Sequence, residues 1–287
     1  MMPITFVLLL LAIGACWAPA VAVRGRTVQP WIVLGLASVI SGLLQGYLQP
    51  LALLALGALY ITAKAARDVK SPRARTAWTL ATFVVGLALA LGAFPGFDNP
   101  VIFGPEVLSE GAKPYRLTLR FDYAAVGLIL LALLAPRSTT FAELQRALRV
   151  GVVAAVVCLP VVIALGLAAH YFVFAPKWPV IAVLHVIVTV SFMFVAEEAF
   201  FRTTVQEPLH RFAEARGRWT WLPIVVATAL FGITHLGRGW ALILLASVSG
   251  LALAWAYARS RRIEAPIVTH AIIGLTQFFF LTYPALA

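Results

Sequence analysis

Residues 192–207 read FMFVAEEAFFRTTVQE, two adjacent carboxylates in an apolar run with an arginine four residues after the second. On a helix Glu198 and Arg202 stand one turn apart on one face and pair, while Glu197 is turned about 100° away. One carboxylate is then structural and the other is free for chemistry. A carboxylate in an apolar pocket is poorly solvated as an anion, so it takes up a proton readily and suits general-base work on water.

Two histidines in other apolar segments belong with this pair. His235 ends the eighth apolar segment, in ALFGITHLG, and His270 comes early in the tenth, in EAPIVTHAIIG. Each can donate a hydrogen bond to a developing oxyanion, or the two with Glu197 form a His₂Glu zinc set that leaves a position open for water. Phe231, one turn before His235, packs beside it. The plain alternatives are an interfacial Glu–Arg pair and two structural histidines. Two carboxylates and two histidines on three polar-bearing segments outweigh them, because ionisable groups at membrane depth are costly without a partner or a function. His170 and His185 lack acidic neighbours and read as structural or interfacial. His210 lies in a charged stretch and is expected to be solvated.

These side chains must be positioned by membrane helices. Of the 287 residues, 62% are hydrophobic and 11% charged, and the mean hydropathy is +0.96. That excludes an ordinary soluble domain and predicts an all-α, polytopic transmembrane helical bundle of nine or ten spans. The net charge of +11 comes from basic residues scattered in short loops. Such a pattern reports orientation rather than nucleic-acid binding. Cys16 and Cys158 both sit in apolar stretches and read as packing residues.

Apolar segments fall at about 3–23, 31–48, 50–66, 76–94, 121–135, 149–175, 179–201, 219–236, 239–258 and 265–284. The first lacks a preceding basic residue and reads as a retained span rather than a secretory signal. Between 31 and 66, Gln45, Gln49 and Pro50 interrupt a run whose two flanks are both basic, so two short helices turning near Gln49-Pro50 are predicted. Gly42 and Gly46, four apart, suit a close helix contact. With the amino terminus outside, 17 of the 22 Lys and Arg fall in the loops around 24–26, 64–75, 137–149, 202–218 and 259–262 on the cytoplasmic side. Segment 95–120 is then an external loop. No internal repeat is evident, which weighs against a transporter of inverted halves.

EEAFFR fits EExxxR, FGITH fits FxxxH, and a later histidine opens a third helical motif. In this order the chain, over roughly residues 145–285, resembles the CPBP family, which contains CAAX-type prenyl-protein endopeptidases and bacterial Abi proteins linked with bacteriocin processing or immunity. The resemblance implies an intramembrane endopeptidase in which Glu197 activates water with His235, Glu198 and Arg202 order the site, and His270 holds water or the oxyanion. It implies a glutamate-dependent reaction without a bound metal, with zinc at Glu197, His235 and His270 as the alternative. The family's HxxxN motif is broken here, since Gly274 stands at the asparagine position. Gln277, two turns beyond His270, is the candidate substitute.

These readings divide the chain into amino-terminal transmembrane helices with the external loop, 1–144, and a catalytic bundle, 145–287. The implied partners are membrane lipid and a protein or peptide substrate, the implied place is a bacterial inner membrane, and the active site faces the cytoplasm. The rival functions are a non-catalytic immunity or scaffold protein, favoured by Gly274, and a proton-coupled transporter. For Glu197 and His235 to share a site, the eighth segment must begin inside an aqueous cavity or tilt steeply.

Overall fold

The computed structural model describes residues 2–23 and 25–287. Arg24 and the side chain of Arg26, both counted above as orientation charges, lie outside the described residues. With Ala182–Arg216 taken as one helix, ten helices are present among the described residues. They are α1 (Ile4–Gly14), α2 (Pro30–Leu44), α3 (Pro50–Asp68), α4 (Pro72–Ala90), α5 (Phe121–Leu133), α6 (Phe141–Ala168), α7 (Ala182–Arg216), α8 (Leu222–Ile233), α9 (Trp240–Ser260) and α10 (Glu264–Phe280). The chain is 69% helical, the all-α membrane bundle expected, with one helix for each apolar segment. Among the described residues α3, α6, α7 and α9 are long and apolar enough to cross a bilayer alone. Helices α1, α2, α5 and α8 are shorter than the roughly 20 residues of a perpendicular crossing. Large apolar side chains such as Leu44, Leu54 and Val157 stand 69–83% exposed, as lipid-facing positions do.

Local chemistry explains where the helices depart from the apolar segments. The first segment leaves the helix after Gly14, and its tail forms the hairpin β1 (Val21–Val23) with β2 (Arg26–Val28), because Pro19 and two valines favour extended backbone. Helix α6 starts eight residues before the apolar run, at a capping box: Thr140 accepts from the Glu143 backbone N–H, and the Glu143 carboxylate accepts from the Thr139 N–H. The segment read as an external loop contains β3 (Val101–Glu106) and β4 (Tyr115–Thr118), which form a two-stranded sheet. Gly104 is held there at φ +82°, where a Cβ would lie 2.2 Å from the Tyr115 carbonyl oxygen.

The largest departure is α7. The sequence places 202–218 in a cytoplasmic loop, yet the helix runs on to Arg216 and ends at Gly217 in the left-handed conformation. Arg202 is fully buried within it. His210, expected to be solvated, is only 8% exposed, with Gln206 Nε2 3.4 Å from its Nε2.

Two compact units can be distinguished. The first comprises Met1–Ile102, Thr118–Ala135 and Ser191–Thr204. Its central helix is α5, buried along nearly its whole length, which packs against α1, α3, α4 and the middle of α7. Gly127 lets α7 come close, since a Cβ there would lie 3.0 Å from the Ala196 Cα. On α4, Gly86 admits the ring of Phe200, which stacks on Phe83 with centroids 5.1 Å apart. Helices α1 and α2 are joined by hydroxyl and amide groups: Ser38 donates to the Thr5 carbonyl at 2.7 Å and Gln45 Nε2 to the Thr5 hydroxyl at 3.2 Å. The predicted break between α2 and α3 is present, and Gly46 serves it as a turn residue at φ +79° rather than as a helix contact. Gly42 does meet a neighbour, the Leu48 side chain.

The second unit comprises Phe103–Leu117, Pro136–Val190 and Val205–Ala287. Helix α9 lies against α6, α8 and α10, and α6 also packs on α10. Small residues set these spacings: Ala147, Ala154, Ala256 and Ala265 form one buried cluster, and a Cβ on Gly151 would lie 2.5 Å from the Ala265 carbonyl. Cys158 is buried in the neighbouring apolar cluster, and neither cysteine is in a disulfide. His185 keeps its structural role, its Nδ1 lying 2.7 Å from the Tyr115 hydroxyl oxygen and its ring stacking on Phe278 at 3.6 Å. His170, exposed, turns the chain at the end of α6 with φ 50°.

The close approach at Gly127 gives a direct test of the first unit. Gly127→Val is expected to lower stability by about 1–3 kcal/mol through overpacking, read as a reduced thermal midpoint in detergent. An unchanged midpoint would contradict the contact between α5 and α7.

Candidate functional site

The two glutamates stand near the middle of α7 and not at the end of a span. Their α-helical stretch, Val195–Phe200, is flanked by two π-helical segments, Thr189–Phe194 and Phe201–Gln206. In a π turn each N–H reaches the fifth carbonyl back instead of the fourth, and such wide turns recur at functional sites. The threonines after the arginine supply donors to carbonyls four residues back: Thr203 Oγ1 to Ala199 O and Thr204 Oγ1 to Phe200 O, each at 2.7 Å.

The expected ion pair is present. Arg202 Nε donates to Glu198 Oε2 at 2.9 Å, and both side chains are 0% exposed. Glu197, one residue earlier, is half-buried and turned to other company. The Tyr123 hydroxyl donates to its Oε1 at 2.9 Å.

Tyr123 was not among the residues that the motif spacing singled out, and its position follows from the start of α5. Asn99 Oδ1 accepts from the Phe121 N–H at 3.0 Å, and Asn99 Nδ2 donates to Asp122 Oδ1 at 3.2 Å. Asp122 is 1% exposed and pairs with Arg120 at 2.6 Å. The same Arg120 donates to the Ala90 carbonyl at the end of α4, and its guanidinium lies 5.2 Å from the centroid of the Tyr123 ring. The signal in the sequence is the run RFDY, three polar side chains at the mouth of an apolar segment. Nothing in it points to a partner 74 positions away.

In the second unit Phe231 meets both motif histidines. Its ring centroid is 5.4 Å from that of His235 and 5.8 Å from that of His270. Phe231 is buried, and Gly250 of α9 leaves room for its ring. His235 Nδ1 lies 3.0 Å from the Phe231 carbonyl. Because a carbonyl can only accept, Nδ1 carries the proton, and in the neutral ring Nε2 is then an acceptor. Gln277 donates from Nε2 to the Pro284 carbonyl at 3.0 Å, which ties α10 to the carboxyl-terminal segment. Glu197, Glu198 and Arg202 thus belong to the first unit, and Phe231, His235, His270 and Gln277 to the second. Among the described residues no three His, Cys, Asp or Glu side chains gather as a metal-ligand set.

Residues 176–276 match the family model described as "Type II CAAX prenyl endopeptidase Rce1-like". Among curated proteins and solved structures nothing matches the chain. The matched stretch contains both glutamates, Arg202, Phe231, both motif histidines and Gly274, and it leaves out Tyr123 and Gln277. The chain is an integral membrane protein whose segment 176–276 is similar to the CAAX-protease, or CPBP, family.

Proposed function

We propose that this protein is an intramembrane endopeptidase that hydrolyses a peptide bond of a membrane-associated protein or peptide with water activated by Glu197. The observation that carries this reading is the fully buried pairing of Glu198 with Arg202. It commits one carboxylate of the motif to structure and leaves its neighbour for chemistry, inside a segment that matches a protease family.

The reaction follows from the groups named. Glu197 takes a proton from water as the water oxygen attacks the scissile carbonyl carbon, and the carbonyl electron pair moves onto its oxygen. By resemblance to the family's motifs, His235 is the residue proposed to assist with the water and His270 the one to hold the water or the oxyanion. When the tetrahedral species collapses, the C–N bond breaks and the amine leaves with the proton held by Glu197. Glu198 and Arg202 keep the helix turn in register. No step requires a metal. The proposed setting is a bacterial inner membrane, with the motif residues carried by 145–287.

Gly274 supports one alternative. Without the asparagine amide, a chain of this kind serves equally as a non-catalytic immunity or scaffold protein.

The test compares membrane-protein termini by mass spectrometry in cells expressing the wild type, Glu197→Gln, or no protein at matched levels. New termini confined to the wild type are expected. Identical profiles in all three would assign the non-catalytic role. Cleavage at those termini in washed membranes is expected to survive treatment with zinc chelators. Loss restored by added Zn²⁺ would replace the glutamate-only mechanism with the His₂Glu one.

A further inference from the structure

The third family motif here lacks its asparagine, while a hydroxyl from outside the matched segment reaches the proposed base. From this geometry we infer that Tyr123 is a positioning residue for Glu197, held in place by Asn99, Arg120 and Asp122. The inference rests on the proposed role of Glu197 as base.

A carboxylate that must accept a proton from water works best when its plane is fixed. Tyr123 donates to Oε1 at 2.9 Å, and this holds the plane of the Glu197 carboxylate. The phenol is a donor of the right kind. It is neutral, so it adds no charge beside the buried ion pair one residue away.

The donor is itself well held. Asn99 joins the backbone N–H of Phe121 to the Asp122 carboxylate, Asp122 is buried and paired with Arg120, and Arg120 anchors to two carbonyls at the end of α4. The carboxylate also accepts from the Tyr123 backbone N–H at 2.8 Å, so the residue's main chain is fixed as well as its side chain. A guanidinium over the ring draws electron density from the phenol and strengthens its O–H as a donor. A tyrosine kept only for packing in an apolar helix needs none of this. The clamp uses Asn99 and so assigns the segment before α5 a part in the chemistry.

The experiment uses purified full-length protein in nanodiscs and a quenched fluorescent peptide spanning the first cleavage site found in the termini comparison. Tyr123→Phe removes one oxygen. It is expected to lower kcat about 10- to 100-fold, the rate equivalent of one hydrogen bond to a charged group, with KM and the thermal midpoint unchanged. Asn99→Ala, one step removed, is expected to lower kcat by less. In the infrared, the carboxylate band identified as Glu197 by its absence in Glu197→Gln is expected to shift in Tyr123→Phe. Wild-type kcat and an unshifted band in Tyr123→Phe, with Glu197→Gln inactive, would overturn the positioning role alone. Wild-type turnover by Glu197→Gln would overturn the catalytic reading and this inference with it.

Discussion

A glutamate and an arginine with no exposed surface, one turn apart in the middle of an apolar helix, are the constraint on which the rest of this structure depends. Two charges removed from water cost several kcal/mol each, and their attraction offsets that cost only if the geometry is held. The surroundings supply the holding. Wide turns on both sides of Val195–Phe200 reset the helix face, and the hydroxyls of Thr203 and Thr204 take up carbonyls at the second of them. Two glycines, Gly127 and Gly86, let α5 and α4 close over the same stretch.

That constraint separates two residues that the sequence makes neighbours. Glu198 is sealed with Arg202, whereas Glu197 is half-buried and meets a neutral phenol. Identical side chains therefore work in different electrostatic surroundings, which is how one motif can hold both a structural and a reactive carboxylate. In the second unit, Phe231 plays a comparable organising part, touching both motif histidines while its carbonyl sets the tautomer of His235.

What the sequence made legible was whatever depends on spacing and hydropathy. The four-residue step from Glu198 to Arg202 announced their pairing, ten apolar segments announced ten helices, and Gln45 to Pro50 announced a turn. Features that depend on distant partners were not legible. Helix α7 outruns its apolar segment because Val205, Gln206, His210 and Ala213 are buried by tertiary packing, although their stretch carries enough charge to read as a loop. The same packing takes His210 out of solvent. A π turn has no sequence period of its own. Tyr123 was missed because its contact with Glu197 spans two elements far apart in the chain, and the hairpin at 101–118 because a Pro- and Gly-rich stretch hides two short extended runs.

The most direct measurement is a side-by-side comparison of thermal unfolding for Glu198→Gln and Glu197→Gln in the same detergent. The account requires the two adjacent substitutions to separate. Glu198→Gln leaves Arg202 buried without its counter-ion and should cost about 3–5 kcal/mol of stability, while Glu197→Gln should melt with the wild type. Equal midpoints for the two variants would contradict the division of labour between the carboxylates.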